Sequence, residues 1–470
     1  MKPLSQILQR RRNPDMDKRT LAELERIAGK DNLKTALEEL VCYSYDGYLK
    51  ESLPDAVVFP ESTEQVSAIV KLAGSEGFFI TSRGSGSNLC GASVPKKGGL
   101  VLAFSRMCRT IKIDREERFA IIEPGKVLDD LELELSPLGL SYPVDLGSSK
   151  IATIGGSIAL NSGGMKAIKY GVTRDYLLGL TVVLADGSIL ELGTKTKKNV
   201  VGYDLMSLFC GSEGTLGIIT QAVVKLVVKP KARKVIVAHF RGMESACAAV
   251  NEVLASGLIP AAIEIIDRLV IGAVEDYAKA GLDKAAEALL LIELDGKESV
   301  VEEDSRAMNA LLDRHGAYGK KEAATAAESD KLWLARKSAF PSMTRLKNIC
   351  IAEDITVPVS RLYEVITRLN ELSVKNGVLM GLISHSGDGN LHPHFLIDNK
   401  EEELKADRVL EELTPFVISI GGTLSGEHGI GVSKKKFLGF QLKENELRIM
   451  RELKKLYDPK GILNPGSFID

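Results

Sequence analysis

The chain has 470 residues, which is enough for two or three domains that each bury a core of their own. Its 61 basic and 63 acidic residues give a net charge of −2, which argues against a nucleic-acid partner. The apolar runs are too short to span a bilayer, and the N-terminus lacks the apolar core of a secretory signal. The six cysteines are scattered and form no Cys-x-x-Cys pair. This pattern indicates a reducing compartment and argues against an iron–sulfur cluster built from this chain alone.

Apolar residues at helical spacing predict two short helices between residues 20 and 40, because Gly29 interrupts the pattern. Ser62 and Gln65 have the spacing of a capping box and predict a helix that ends near Gly74–Gly77. The next predicted elements are strands at Phe78–Thr81, Leu100–Phe104, Thr110–Ile113 and Phe119–Glu123 and a helix around Lys126–Ser136.

A β-hairpin is predicted around Asp186-Gly187, since this dipeptide tolerates the positive φ that a tight turn needs. The composition changes near Lys229–Lys231, and strands then alternate with helices, which predicts an α+β fold with an antiparallel sheet. The Ala-rich stretch Ala278–Ala288 is interpreted as helix, and Trp333 and Arg336 are expected to open a later helix.

Several glycine-rich segments lie between Arg83 and Gly217, beside Ser, Thr and Asn donors. In such loops successive backbone N–H groups can converge on a pyrophosphate. The first loop, Arg83–Asn88, follows a strand as in a Rossmann site, but Leu89–Gly98 is too broken by glycine and proline to open a helix. It also lacks the Gly-Lys-Ser/Thr of a P-loop. One such loop can be an ordinary turn, but several together favour phosphate binding.

Four of the six histidines lie in two glycine-rich stretches, Ser384–His394 and Ser425–Gly431. Imidazoles with a carboxylate are the ligands that a divalent metal needs, and flanking glycines let the backbone approach closely. His385 and His392 fall on two short apolar strands joined by a Gly-Asp-Gly turn, so they are expected to face one cleft. The pattern predicts a metal site; hydrogen-bonded loop histidines are the structural alternative.

A series of motifs, in order along the chain, resembles the FAD domain of the vanillyl-alcohol-oxidase type, and the C-terminal half resembles the cap of the FAD-linked oxidases. The motifs are Arg83–Ser87, Glu123–Gly125, Ser148-Ser149, Thr153–Gly156, Asn161 with Gly163-Gly164, Gly202–Asp204 and Gly211–Gly217. The resemblance covers Pro54 to the C-terminus and is nearest to the branch of the glycolate oxidase flavin subunit and FAD-dependent D-lactate dehydrogenase, with D-2-hydroxyglutarate dehydrogenase a near relative.

This resemblance implies an α+β fold, with a two-subdomain FAD-binding domain and an α+β cap that carries an antiparallel sheet. The domains are expected at 1–50 (N-terminal helical extension), 51–229 (FAD-binding domain), 230–415 (substrate or cap domain) and 416–470 (C-terminal segment that carries Glu427 and His428 and packs back on the FAD domain).

The resemblance implies FAD, with the first loop at the pyrophosphate, the middle segments along the ribityl chain and flavin, and the last loop at the adenosine side. We expect non-covalent binding, because the first loop holds no histidine and Cys90 is interpreted as a buried structural thiol. The predicted FAD-binding residues are Arg83, Gly84, Ser85, Gly86, Ser87, Asn88, Pro124, Gly125, Ser148, Ser149, Thr153, Gly155, Gly156, Asn161, Glu213, Gly214, Gly217, Ile218 and Asn464.

The same resemblance implies that His385, His392 and Glu427 bind a divalent metal, for which Zn²⁺, Fe²⁺ and Mn²⁺ all suit the ligands. His428 as the free base would take the substrate hydroxyl proton while hydride goes to the flavin. Arg336 would bind the substrate carboxylate through its fork of donors, unless it is a helix-surface arginine. His394, an asparagine in the glutarate-oxidising relatives, is expected either to coordinate or touch substrate or only to pack.

These implications predict an FAD-dependent dehydrogenase that oxidises a small D-2-hydroxy acid, D-lactate or glycolate. Electrons would pass to an electron-transferring flavoprotein, an iron–sulfur subunit, a cytochrome or a quinone, and the protein would be cytoplasmic or attached to the membrane through that partner. The N-terminal extension is a candidate docking element. A D-2-hydroxyglutarate dehydrogenase-like enzyme, a flavin-binding subunit of a larger complex, and a metal-dependent hydrolase are the alternatives; the hydrolase leaves the glycine loops unexplained.

Overall fold

The computed structural model describes residues 16–48, 50–323 and 325–469, so most of the basic N-terminal stretch of the sequence lies outside the described residues. Within this part of the chain, no helix combines the length and the hydropathy that crossing a bilayer requires. The described α-helices are Lys18–Ala28, Leu37–Val41, Thr63–Glu76, Leu128–Leu135, Ile154–Leu160, Ala167–Tyr170, Met206–Phe209, Met243–Ala255, Arg268–Ala278, Glu298–Arg314, Ala326–Lys337, Ala339–Met343, Leu362–Asn376, Lys400–Ser419, Leu438–Gln441 and Glu444–Tyr457.

A four-stranded sheet with parallel central strands forms the first layer after the N-terminal helices. Its order is Leu33–Lys34, Ala56–Val58, Leu100–Ala103 and Ile80–Arg83. The central strands are fully buried, as their continuous apolar sequence requires. The predicted cap of the helix Thr63–Glu76 is confirmed, because the Ser62 side chain accepts the N–H of Gln65 and Gly77 ends the helix in the left-handed region. The Gln65 side chain instead accepts the N–H of Glu61.

A five-stranded antiparallel sheet forms the second layer. Its order is Thr110–Asp114, Phe119–Ile122, Ile218–Lys225, Leu177–Val183 and Ile189–Gly193, beside a two-stranded pair of Leu140–Ser141 and Val227–Val228. The predicted hairpin is confirmed: Gly187 has a φ of +80° in the turn between its two strands. These two sheets are the two subdomains that the sequence predicts for an FAD-binding domain.

An eight-stranded antiparallel sheet forms the second half of the chain, and it confirms the predicted cap. Its order is Tyr318–Glu322, Ala232–Phe240, Ala288–Gly296, Ala262–Asp267, Leu379–His385, Asn390–Ile397 and Ile349–Ala352, with Ile355–Thr356 also paired to Asn390–Ile397. Helices pack on it and bury a large apolar core that includes Phe240, Phe395 and Leu369. The two histidine-bearing strands are adjacent, in a register that sets His392 opposite Ile383.

Two local predictions in the cap are wrong. Trp333 and Arg336 lie in the last part of the helix Ala326–Lys337, which begins earlier because the Thr325 side chain caps it by accepting the N–H of Glu328. The stretch Ala278–Ala288 is not helical: Lys279 leaves the preceding helix with a φ of +51°, and Ala288 already begins a strand. Alanine content indicated helix there, but the left-handed residue at the helix end outweighs that weak propensity.

The C-terminal segment returns to the first sheet. Ile80 donates its N–H to Ile462 and accepts the N–H of Asn464, at 2.8 and 2.7 Å. The buried ammonium of Lys454 donates to the carbonyls of Thr215 and Leu463 at 2.8 Å. These contacts fasten the last residues of the chain beside the glycine-rich loops.

Candidate active site

One cavity of about 580 Å³ has the glycine-rich loops on one wall and the histidine-bearing strands on the other. The second wall contains every residue that the sequence predicts for substrate, metal or proton transfer: Arg336, His385, His392, His394, Glu427 and His428. The first wall contains these predicted FAD-binding residues: Gly84, Ser85, Gly86, Ser87, Asn88, Ser148, Thr153, Gly156, Glu213 and Gly214. Segments that are far apart in the sequence therefore line the same cavity.

The other predicted FAD-binding residues lie off this wall. Arg83, Pro124, Gly155, Gly217 and Ile218 line a smaller adjoining cavity of about 60 Å³, and Gly125, Ser149, Asn161 and Asn464 line neither cavity. The Arg83 side chain donates to the carbonyl of Tyr45 at 2.7 Å, so it braces the loop from behind. The Asn464 side chain likewise donates to the carbonyls of Ala92 and Glu213. These residues support the glycine-rich loops from outside the larger cavity.

Small residues allow the glycine-rich loops of the first wall to pack closely against one another. A Cβ on Gly84 would lie 2.2 Å from the hydroxyl oxygen of Thr153, which caps the helix Ile154–Leu160 by accepting the N–H of Gly156. A Cβ on Gly164 would lie 2.1 Å from the carbonyl oxygen of Asp145. The loops can pack this tightly only without side chains. A cradle of backbone and small hydroxyl side chains suits a dinucleotide cofactor.

The three predicted metal ligands converge on the opposite wall. One potential ligand atom from each of His385, His392 and Glu427 lies within 4.8 Å of the others. Nε2 of His385 and Nε2 of His392 lie 3.5 and 3.3 Å from Oε1 of Glu427. Among the described residues, none hydrogen-bonds to the buried Nε2 of His392, which is costly unless the lone pair meets a cation or a proton. Two imidazoles and one carboxylate are a donor set that fits a divalent cation with open positions.

Glu264 supports this cluster from the neighbouring strand, and sequence reasoning missed it. The carboxylate is completely buried; Oε1 lies 2.6 Å from Nδ1 of His385, and Oε2 accepts from Nε of Arg336 at 2.7 Å. A carboxylate on the far nitrogen of a ligating histidine fixes its tautomer and orientation. The signal that could have found it is an acidic residue flanked on both sides by isoleucine, in the strand Ala262–Asp267.

The charges of the cluster balance one another. Burial alone would raise the pKa of Glu427, but His385 and His392 hold that pKa well below its usual value. Burial alone would lower the pKa of His385, but Glu264 and Glu427 raise that pKa well above its usual value. Without a cation, a proton on His385 together with the Arg336 guanidinium offsets the charges of Glu264 and Glu427; a divalent cation can take the place of that proton.

His428 and His394 flank the three ligands as neutral imidazoles. The His428 ring stacks on the His392 ring with centroids 5.0 Å apart, and burial lowers the pKa of His428 to about 4. Burial also lowers the pKa of His394 to about 3. Nδ1 of His394 lies 2.8 Å from the carbonyl oxygen of His392, so it carries the hydrogen and Nε2 is the acceptor. Both rings are therefore uncharged at neutral pH and can accept a hydrogen bond.

Arg336 reaches the cavity from the end of its helix. Glu264 engages Nε and Nη2, an arrangement that leaves the Nη1 edge of the fork for another anion. The side chain is 11% exposed, which does not fit the alternative of a helix-surface arginine. Phe340 lies beside it in the lining, with its ring 5.9 Å from that of His394.

The glycine-rich turn that carries Glu427 and His428 is held by two carboxylates from distant parts of the chain. Oδ2 of Asp354 accepts the N–H groups of Glu427 and His428 at 3.0 and 2.9 Å. Glu213, predicted for the adenosine side, instead uses its carboxylate to accept the N–H groups of Ile430 and Gly431. Sequence reasoning missed both of these contacts.

Comparison with known proteins gives matches over both halves of the chain. The family model "FAD binding domain" matches residues 54–193, and "FAD linked oxidases, C-terminal domain" matches residues 229–468. The chain is 41% identical over 448 residues to the glycolate oxidase subunit GlcD of Bacillus subtilis, covering 95% of each chain. It is 36% identical to a D-lactate dehydrogenase of Archaeoglobus fulgidus, covering 88% of this chain and 91% of that one.

Among solved structures, a p-cresol methylhydroxylase superposes with a TM-score of 0.82 over 98% of each chain at 18% identity, so this similarity concerns the fold. The family-model matches include most of the residues that line the cavity, and they support FAD as the cofactor. The chain belongs to the FAD-linked oxidase family and is an FAD-linked oxidoreductase.

Proposed function

We propose that the protein is a dehydrogenase that oxidises a small D-2-hydroxy acid, D-lactate or glycolate, with the help of a divalent cation held by His385, His392 and Glu427. The observation that carries the proposal is the single cavity with the FAD loops on one wall and these three residues on the other. The names of the relatives, a glycolate oxidase subunit and a D-lactate dehydrogenase, support the substrate class.

Each proposed residue has one task. The free edge of Arg336 binds the substrate carboxylate as a fork, while Glu264 holds the opposite edge. His428, a neutral imidazole in the cavity lining, takes the hydroxyl proton. FAD, when bound, supplies the hydride acceptor, and the cation supplies Lewis acidity at the substrate oxygens. His394 offers Nε2 to the substrate as an acceptor.

We propose that FAD binds without a covalent link. Cys90, the thiol nearest to the first loop in sequence, is fully buried and lies 3.5 Å from Oδ1 of Asn88. Burial raises the pKa of this thiol well above its usual value, so it is a poor nucleophile. Denaturation should release all of the flavin into solution; flavin retained by the denatured chain would contradict this point.

The electrons must leave the reduced flavin, and we propose an electron-transferring flavoprotein, an iron–sulfur subunit or a quinone as the acceptor. We also propose the division into residues 1–50, 51–229, 230–415 and 416–470 as the working domain plan. The family-model matches at 54–193 and 229–468 support its main boundary. Limited proteolysis that cuts first within residues 225–235 would agree with this boundary.

The direct test is anaerobic titration of the flavin absorbance with D-lactate, L-lactate, glycolate, D-malate and D-2-hydroxyglutarate. We expect D-lactate or glycolate to bleach the flavin, L-lactate to leave it oxidised, and a chelator to slow the bleaching strongly. His392→Ala is the matched variant, because it removes one cation ligand from the wall opposite the FAD loops. A flavin that dithionite reduces but no hydroxy acid reduces would refute the proposed substrate class.

A further inference from the structure

The carboxylate of Asp354 lies buried beneath the turn that carries Glu427 and His428, and it takes part in none of the steps above. Its Oδ2 accepts the backbone N–H groups of Gly426, Glu427 and His428, at 2.9, 3.0 and 2.9 Å. The Ser425 hydroxyl donates to the same oxygen. Successive N–H groups that converge on one anion form a nest, which fixes the backbone of the residues that supply them.

The remaining N–H groups of the turn are also engaged. Gly429 donates to the Ser425 hydroxyl oxygen at 3.0 Å, and Ile430 and Gly431 donate to Glu213 at 2.8 and 2.9 Å. Each backbone N–H from 426 to 431 is therefore satisfied by one of three side chains. Asp354 is the one that holds the two residues with proposed chemistry.

The charge of Asp354 is balanced locally, which lets it remain a carboxylate in a buried place. The ammonium of Lys434 lies 3.8 Å from Oδ2 and also donates to the carbonyls of Asp354 and Leu424. Burial alone would raise the pKa of Asp354, but Lys434, His428 and His392 hold that pKa below its usual value. Hydrogen bonds to an ionised acceptor are roughly twice as strong as neutral ones.

We propose that Asp354 is a positioning residue. Its carboxylate accepts the N–H groups of residues 426–428 and thereby holds the Glu427 side chain close to His385 and His392. This position of Glu427 determines the cation affinity of the site. The inference rests on the proposed cation site. It adds a determinant of affinity that lies outside the ligand set and 72 residues or more from the turn in sequence.

The test uses the full-length, FAD-loaded protein and Mn²⁺ as the probe, with free Mn²⁺ followed by electron paramagnetic resonance. We expect the wild type to bind one Mn²⁺ and Asp354→Asn to bind it about 10- to 100-fold more weakly, the range seen when outer-shell partners are removed. Flavin content and thermal melting should stay close to wild type. Saturating Mn²⁺ should restore most of the turnover that Asp354→Asn loses at low Mn²⁺.

Glu353→Gln is the matched control. Its carboxylate is only partly buried beside Asp354 and lies 3.7 Å from the Lys434 ammonium, whereas the N–H groups of residues 426–428 bond to Asp354. We expect this variant to bind Mn²⁺ within about threefold of the wild type, because the N–H groups that position Glu427 bond to Asp354 and not to Glu353, so the outer-shell loss does not apply. Ser425→Ala, which removes one donor to Oδ2, should weaken binding by a smaller factor than Asp354→Asn and serves if the latter does not fold.

Wild-type affinity in Asp354→Asn, or in Ser425→Ala where it replaces that variant, would overturn the inference and leave the proposed cation site intact. Equal weakening in Asp354→Asn and Glu353→Gln would also overturn it, because the cause would then be the lost charge beside Lys434. If the wild type binds no Mn²⁺, the proposed cation site itself fails, and the inference fails with it.

Discussion

The two walls of the cavity are built from different materials. The first wall is rich in glycine, serine and threonine, although Asn88, Leu146 and Glu213 also line it, and its close packing depends on missing side chains, as at Gly84. The opposite wall consists of charged and imidazole side chains whose positions depend on buried carboxylates, Glu264 and Asp354. The first wall is specified by short contiguous motifs, and the second by contacts between distant segments.

Because the two walls differ in this way, we expect that flavin binding and cation binding can be lost independently of each other. Changes on the side-chain wall should abolish cation binding or turnover and leave the flavin bound. Changes on the backbone wall should weaken the flavin and leave the cation ligands in place. Variants that impair both functions together would break the comparison.

The largest effect is expected from Glu427→Gln, which replaces the one anionic ligand by a neutral amide. Because Lewis-acid stabilisation of the developing alkoxide contributes several kcal/mol, kcat/KM should fall at least about 1,000-fold. The measurements are steady-state turnover, Mn²⁺ binding and flavin absorbance on one preparation. Unchanged turnover with an intact flavin spectrum would show that the reaction does not need the cation.

Arg336→Lys is expected to lower kcat/KM by roughly 100-fold, mainly through KM. An ammonium cannot bind Glu264 along one edge and a substrate carboxylate along the other. The control is Lys337→Gln, the next residue in the same lining, where the change should be small. If the two variants lose activity equally, general electrostatic attraction is the better explanation.

Glu264→Gln should weaken cation affinity about 10- to 100-fold, the range for partners that orient a ligating histidine. KM should also rise, since the same carboxylate holds Arg336. Isothermal titration with Mn²⁺ and a KM series measure the two effects. A change in only one of them would show that Glu264 serves a single partner.

The smallest effect is expected from Gly84→Ala on the backbone wall. The added Cβ must displace the Thr153 hydroxyl and disturb its cap, worth about 1 kcal/mol, so FAD should bind on the order of tenfold more weakly. Gly439→Ala is the control, because a Cβ there meets nothing within 4 Å. Flavin fluorescence during dilution gives the dissociation constant, and Mn²⁺ binding should be unchanged.

Much of the fold followed from local patterns in the sequence. The Ser62 cap and the Asp186-Gly187 hairpin each depend on neighbours within a few residues, and the structure confirms them. The helix that carries Arg336 was predicted to begin near Trp333 because its true cap, Thr325, precedes a weakly patterned segment. Helix starts depend on single capping contacts, which periodicity does not reveal.

The candidate site was predictable to the extent that its residues are contiguous. The two histidine strands and the Gly-Glu-His-Gly turn stand out in the sequence, and the structure brings them together. Glu264 and Asp354 could not be assigned in this way, because their partners lie 121 and 72 residues away. A buried acidic residue in an apolar strand signals that it has a partner, but it does not say which one.

A crystal structure of the protein with FAD, Mn²⁺ and glycolate, with the metal located by anomalous scattering, tests the central claim most directly. We expect one Mn²⁺ bound to His385, His392 and Glu427. Glycolate should lie between this cation and the flavin ring, with the glycolate carboxylate bound to Arg336. A cation bound elsewhere, or a flavin ring outside the cavity that these residues line, would contradict the claim.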